Sequence, residues 1–376
     1  MKTKILIMSN HLSLLSIRAF RGLRGLRLEG LGTFNLFVGE NNSGKTSILE
    51  AILLAFAPGD RDNWEQVFAL RGASWDLPTR KARWLFPVSE SEPSGPPDTI
   101  QIESSFGDIQ ESLAIRYGEV SQEKSIQVLR RGGREIPEEI IKTVNRLEIE
   151  WTGGSEGTKY GTIICTDTTH SVSRRWGWHR SSDGPLDRMP VRKLAYMAPR
   201  SHHRPEAVAE AVSSCVESGT KQELLPFIQI FDSDITDLDV VVDQGHSDVL
   251  IQHRRLGSLP LHAFGDGMAK ALHVAATAFD VAGGTLLLDE VETSLHFSAQ
   301  APFFKALRLV AQRLDLQIFA TTHSLDAVDG IISSMRDDLE HLTAFHLPDR
   351  LSGHPMKRMD GEMLKRLRFE RGFEIR

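Results

Sequence analysis

Cysteine is almost absent from this chain. Only Cys165 and Cys215 occur, with no CxxC spacing and no histidine pair beside them at ligand spacing. A disulfide framework or a structural zinc site is therefore excluded as the basis of the fold, and a reducing compartment fits. Long apolar runs are missing too. The run Ile5–Met8 stops at Ser9-Asn10-His11, short of a signal peptide, and runs such as Leu286-Leu287-Leu288 cannot span a bilayer. No membrane association is expected, and the expected location is cytoplasmic. Excess positive charge is also lacking. Lys and Arg number 44 against 50 Asp and Glu, a net charge of −6. Any nucleic-acid surface must then be a local patch. There is no internal repeat and no sustained heptad, which excludes a solenoid and long coiled-coil arms.

What remains is an ordinary globular composition, 40% apolar and 25% charged, in 376 residues. That length accommodates two or three domains. Residues 12–38 predict strands around a turn near Gly22, the last being Asn35–Val38 before Gly39. A buried helix is expected over Ser47–Phe56, ended by Pro58-Gly59-Asp60. The middle of the chain differs. It holds all six tryptophans, from Trp64 to Trp178, and a Pro-rich stretch, Glu90–Asp98, that reads as a loop. Thr99–Phe106 and Leu147–Trp151 alternate like strands, and Glu138–Val144 reads as a short helix. From Leu194 the pattern is regular again. Strands are expected at Leu194–Met197, Thr285–Leu288 and Gln317–Ala320, with a hairpin of Asp237–Val242 and Asp248–His253. Helices are expected at Pro205–Glu217, Lys270–Phe279 and Ala299–Gln312. Strands alternating with helices predict an α/β core with a parallel sheet.

Four segments carry chemistry. Gly39-Glu40-Asn41-Asn42-Ser43-Gly44-Lys45-Thr46 matches GxxxxGK[ST], the P-loop pattern, with a strand before it and the helix from Ser47 after it. Glycines let the backbone curl so that N–H groups, and the helix N-terminus behind them, face phosphate oxygens. Lys45 is expected on the β- and γ-phosphates and the Thr46 hydroxyl on Mg²⁺. Thr285–Glu290 (TLLLDE) is an apolar strand delivering two carboxylates to its C-terminal end, where ligands sit in open α/β sheets. Asp289 is expected to hold Mg²⁺ through water, and Glu290 to polarise the attacking water. Many strands end in acidic residues, so this segment gains meaning from following a P-loop. Ile318–Ser324 (IFATTHS) ends an apolar strand at an exposed polar pair and His323. That histidine is either a structural cap or a donor to a γ-phosphate oxygen, and its position one strand after Asp289 favours the second. Phe264-Gly265-Asp266-Gly267-Met268 precedes a helix. Taken alone it reads as a helix-start turn; in context it is an anion site.

In this order the four segments resemble the ABC-type ATPases, in the soluble branch with RecF, the SMC-like proteins and the OLD (overcoming-lysogenization-defect) family. The resemblance covers about residues 12–56 and 194–345. Glu290-Val291-Glu292-Thr293-Ser294-Leu295-His296 looks like the DE-x-E-xx-LH run of the OLD-like branch, and Gly265-Asp266-Gly267-Met268 like its Ser-Asp-Gly-Thr signature. The ending Glu370–Arg376 resembles small antiviral-type ATPases of the group. The resemblance implies an α/β P-loop NTPase fold, an ABC-type two-lobed ATPase head with an inserted middle region. Residues 1–57 and 194–350 would form the head, 58–193 the insert and 351–376 a basic tail. It also implies ATP and Mg²⁺ as ligands, and a homodimer or higher homo-oligomer in which each P-loop faces the partner's signature turn. Two departures stand out. Gly265 replaces the signature serine, removing a hydroxyl contact to the γ-phosphate, and no glutamine loop is evident, with Arg200 the nearest candidate. About fifty residues follow His323, too few for the C-terminal nuclease domain of many OLD proteins.

Two functions compete at this level. One is a regulatory ATPase that acts on a separately encoded effector such as a nuclease, in bacterial defence against phage. The other is a RecF-like ATPase that binds duplex DNA. Arg18, Arg21, Arg24 and Arg27, and the tail residues Lys357, Arg358, Lys365, Arg366, Arg368 and Arg371, are the candidate basic stripes for the second, or else solvated faces. The acidic pairs Asp232/Asp234 and Asp237/Asp239 read as turn and strand-start residues, with metal binding the lesser alternative. A transporter ATPase would keep a full Leu-Ser-Gly-Gly-Gln signature, which this chain lacks.

Overall fold

Three of the expected apolar strands end side by side in one parallel sheet. The computed structural model describes residues 10–60, 63–64, 66–67, 85–87, 99–118, 121–131, 134–154, 157–169, 175–180, 189–243, 245–348 and 355–374. In chain order the strands begin with β1 (Leu12–Phe20), β2 (Leu23–Glu29) and β3 (Phe34–Gly39), before helix α1 (Lys45–Phe56). Then come β4 (Ile100–Phe106), β5 (Ile109–Tyr117), β6 (Ser121–Arg131), β7 (Arg134–Gly153), β8 (Thr158–Thr169), β9 (Arg175–Arg180) and β10 (Leu194–Met197). Helices α2 (Pro205–Glu217) and α3 (Lys221–Ile228) lead to β11 (Ile235–Asp243), β12 (His246–His253) and β13 (Gly257–Pro260). The remainder is α4 (Asp266–Asp280), β14 (Thr285–Leu288), α5 (Phe297–Arg313), β15 (Gln317–Thr322), α6 (Leu325–Ser334), β16 (Leu342–Leu347), β17 (Lys357–Asp360) and α7 (Gly361–Lys365).

The chain forms two compact units. The first comprises Met1–Leu12, Gly30–Leu49 and Lys193–Arg376; the second Ser13–Glu29 and Glu50–Arg192. The division into units falls inside α1 after Leu49, and β2 with most of β1 groups with the middle region. The expected loop Glu90–Asp98 lies outside the described residues.

In the first unit the sheet order is β10-β14-β15-β3-β16-β17. Its first five strands run parallel and β17 is antiparallel to β16. Strands β3, β14 and β15 are buried along their whole length, which is why they read as continuous apolar runs rather than alternating ones. One face presents Leu36, Val38, Leu286, Leu288, Ile318 and Ala320 to a core shared with α4, α5 and α6. On the other face Phe37 stacks on Phe319 at 6.2 Å and meets Phe345 at 5.6 Å. Register places the site. Leu288 pairs with Ala320, and Thr322 with Val38. The residues that follow, Asp289, His323 and Gly39, therefore leave the sheet at one edge.

The second unit is an extended sheet, β2-β1-β4-β5-β7-β8-β9, with β6 also on β7. One expectation fails here. Glu138–Val144 is not a helix but part of β7, a 20-residue strand that pairs with β6, β5 and β8. The β-branched residues Ile140, Ile141, Thr143 and Val144 favour the strand, and pairing with β6 and β8 outweighs the helix start that Pro137 permits. Trp64 and Trp151 are core residues, at 0% and 3% exposure. The Trp64 indole donates to Pro58 O at 2.8 Å. Arg192 and Glu111 form a buried ion pair, with Arg192 lying 3.7 Å over the Phe106 ring and Trp151 Nε1 3.4 Å from the carboxylate.

Candidate functional site

The loop between β3 and α1 is shaped by its backbone. Gly39 has φ 151°, and a Cβ there would lie 2.4 Å from Leu347 O. Only glycine fits that approach. Asn42 and Gly44 also have positive φ, 65° and 105°, so the chain curls before the helix starts at Lys45. The Lys45 ammonium is 8% exposed and turns back into the loop, donating to Gly39 O at 2.7 Å and Glu40 O at 2.8 Å. Two of its three protons are used, and the third is left for a ligand. Burial lowers its pKa, opposed by the charges of Asp289, Glu292 and Glu290. Ser43 Oγ is buried with no hydrogen-bond partner among the described residues. Ser47, one turn into α1, is fully buried.

Asp289 sits beyond β14 at the centre of a hydroxyl cluster. Thr46 Oγ1 lies 3.2 and 3.1 Å from its two carboxylate oxygens, Thr321 Oγ1 donates at 2.6 Å, and Tyr196 OH at 3.1 Å. Glu290 follows with φ 44°. Its N–H donates to Thr321 Oγ1 at 2.8 Å, and its carboxylate accepts from Thr293 Oγ1 at 3.0 Å. The polar pair expected to be exposed is buried instead. Thr321 and Thr322 are both 0% exposed, because Thr321 bridges Asp289 and Glu290 while Thr322 Oγ1 accepts from Ser324 N. His323 stands at the mouth, 47% exposed. Its backbone N–H and Nδ1 both meet Glu292 Oε1, at 3.1 and 3.2 Å, which leaves Nε2 for an outside ligand.

Sequence reasoning missed Tyr196, Thr321 and Glu292 as parts of this cluster. Tyr196 pairs with Leu287 across parallel strands, a register that no local pattern announces.

The fourth segment lies elsewhere in the same unit. Helix α4 begins at Asp266, a turn earlier than expected, with Gly265 at φ 83° as its cap. A cavity of about 650 Å³ is lined there by Gly265, Asp266, Gly267, Ser294 and His296, among others. His202, His203 and Asp266 converge beside it. The start of α4 turns its free N–H groups toward this place, beside the Asp266 carboxylate. The second convergence, Asp232, Asp234 and His253, is internally satisfied. His253 Nδ1 accepts from Arg255 N and Leu256 N at 3.1 Å each, so Nε2 carries the proton it gives to Asp232 at 3.2 Å. Arg255 pairs with Asp234, and Lys221 with Asp237 and Asp239. These acids are turn and strand-start residues with protein partners.

The matches to known proteins fall on the same segments. A family described as "AAA domain, putative AbiEii toxin, Type IV TA system" matches residues 167–329, and one described as "AAA domain" matches residues 14–69. Between them they contain all four motifs. With the parallel sheet and the glycine-bent loop before α1, the first unit has the α/β fold of a P-loop NTPase. An ATP/GTP phosphatase of Helicobacter pylori is 22% identical over 348 residues, 87% of this chain and 89% of that protein. The DNA replication and repair protein RecF of Acinetobacter baumannii is 57% identical over 44 residues, 12% of each chain. The SMC head domain from Thermotoga maritima aligns at 14% identity over 93% of this chain and 98% of that one, with a TM-score of 0.45.

The residues present fit a nucleotide with Mg²⁺. Thr46 Oγ1 lies 3.1–3.2 Å from the Asp289 carboxylate, so an ion ligated by that hydroxyl would have the carboxylate within hydrogen-bond reach of its bound water. The partnerless Ser43 hydroxyl and the spare Lys45 proton face the loop that Gly39 and Gly44 open for phosphates. No helix among the described residues is long and apolar enough to cross a membrane.

Proposed function

We propose that this protein binds ATP with Mg²⁺, hydrolyses it, and uses the cycle to open and close a dimer that regulates a separate effector. The observation that carries the reading is the juxtaposition of Thr46, Asp289 and Glu290 at one sheet edge beside Lys45. Bound Mg²⁺ would neutralise phosphate charge and fix the geometry of the transferred group. Lys45 and the loop N–H groups hold the phosphates. Thr46 and Asp289 would hold the metal, and the hydrogen bonds from Thr321 and Tyr196 orient the Asp289 carboxylate. Glu290 orients the attacking water, and His323 contacts the γ-phosphate. Gly265, Asp266 and Gly267 would meet the nucleotide held by the partner subunit, with Asn41, Asn42 and Ser47 completing the cradle on this side.

An effector such as a nuclease, in defence against phage, is the reading we favour for the output. The second unit is the surface we assign to it. The RecF-like alternative, duplex DNA binding, has the 44-residue match in its favour. Part of the basic stripe it needs is paired with acids: Arg18 with Glu103, Arg21 with Glu50 and Arg27 with Glu29, while Arg368 holds Asp329. Steeply salt-dependent binding to duplex DNA would favour the alternative.

The test is turnover and sedimentation with ATP and Mg²⁺. Glu290→Gln should bind nucleotide, lose about 10² or more in kcat, and accumulate the closed dimer. Lys45→Ala should neither bind nor dimerise. Near-normal turnover in Glu290→Gln would remove that residue from its role.

A further inference from the structure

Helix α4 carries a buried cation on its second turn that the proposed cycle leaves unused. Lys270 is 6% exposed. Its ammonium donates to Val291 O and Thr293 O at 2.8 Å each and lies 3.5 Å from Glu290 O. An ammonium has three donors and no acceptor, so these three carbonyls complete its shell. The turn that offers them is strained at both ends, with Glu290 at φ 44° and Ser294 at φ 67°. Side-chain-bearing residues avoid that region unless their surroundings over-determine it. Converging carbonyl dipoles in a buried turn repel one another, and a cation among them reverses the sign. Phe303 of α5 closes the site, its ring 5.8 Å from the ammonium.

We propose that Lys270 is a positioning residue, fixing the Glu290–Ser294 turn to the signature helix so that the aim of the Glu290 carboxylate depends on where α4 lies. The inference rests on Glu290 being the group that orients water. It gives the signature turn a route to the same subunit's catalytic carboxylate: what presses on Gly265–Gly267 at the start of α4 moves Lys270, and Lys270 moves residues 290–293. The charged groups facing it are Glu290 and Glu292 on the turn and His202 on the segment after β10. Burial lowers the Lys270 pKa to about 8, against the pull of those two carboxylates. The cation is therefore within reach of deprotonation at mildly alkaline pH.

The experiment compares Lys270→Met with Lys270→Arg. Lys270→Met should bind ATP within about threefold of wild type, because the P-loop is intact, and lose on the order of tenfold or more in kcat. In nucleotide-free protein, amide exchange over residues 290–295 should speed up by on the order of tenfold. Lys270→Arg, a permanent cation, should recover most of both losses. Wild-type kcat and exchange in Lys270→Met overturn the proposal, and so does a defect confined to ATP affinity. Should Lys270→Met fail to fold, the pH course decides. Turn exchange in wild type, corrected for base catalysis, should rise as pH passes about 8, and in Lys270→Arg it should not. Identical pH courses overturn it. Failure of the ATPase reading looks different: the wild type would not turn over ATP, while the exchange comparison would stand.

Discussion

Thr321→Val tests whether the hydroxyl cluster, rather than the carboxylates alone, builds the site. Valine keeps the shape and removes one oxygen from a fully buried position. That oxygen donates to Asp289 at 2.6 Å and accepts from Glu290 N at 2.8 Å. A hydrogen bond to a charged acceptor is worth about 1.5–3 kcal/mol, and a buried N–H left without a partner costs about 1–3 kcal/mol. Asp289 retains Thr46 and Tyr196, which places the first contribution at its lower end. The expected loss of stability is about 2.5–4.5 kcal/mol by urea denaturation. The same two contacts orient the proposed metal ligand and the proposed water-orienting residue, so kcat should fall by on the order of 10–10². Affinity for nucleotide without Mg²⁺ should be nearly unchanged, since the P-loop does not touch Thr321. Thr321→Ser, which loses only a methyl group, should cost about 1 kcal/mol and keep most of the activity. A Thr321→Val protein within about 0.5 kcal/mol of wild type and with normal kcat would show that Asp289 and Glu290 are held by other means.

Other outcomes follow from single contacts. Gly39→Ala should abolish nucleotide binding by equilibrium titration, because its Cβ would sit 2.4 Å from Leu347 O. Tyr196→Phe should weaken the Mg²⁺ dependence of turnover by about 10-fold while leaving the folded state intact. Arg192→Met should destabilise the second unit by about 3–5 kcal/mol, since it leaves Glu111 buried and unpaired; an unchanged melting profile would contradict that. Acid should weaken the fold. His202 and His273 are held at about 4, below the ordinary 6.5, mainly by burial. Between about pH 6.5 and 4 the unfolded chain binds protons that the native one refuses, so stability falls as pH drops through that window. Replacing both histidines with apolar residues should flatten the fall.

The chemistry was legible where it is local. A P-loop needs its glycines, lysine and threonine within eight residues, and a buried parallel strand announces itself as an apolar run before Asp289. The supporting hydroxyls were not legible, because Tyr196 and Thr321 reach Asp289 from strands 93 and 32 residues away in the chain. Nothing in LAYM or IFATT marks a side chain as polar support until the register is known. Glu138–Val144 misled for a related reason. Its charges and short length suit a helix, and the partners that make it a strand lie in β6 and β8.

The placement of the aromatic residues makes the two units optically distinct. All six tryptophans belong to the second unit, and of the three tyrosines, Tyr117 and Tyr160 lie there as well. Tyr196 is the sole tyrosine of the first unit, and its phenol touches Asp289. Intrinsic emission excited through indole therefore watches one unit only. A phenol difference spectrum, by contrast, reports all three tyrosines, and its comparison with Tyr196→Phe isolates the share beside the candidate metal ligand. Titrating both unlabelled proteins with Mg²⁺ and nucleotide would then separate local events at the cradle from events in the second unit, without a single introduced probe.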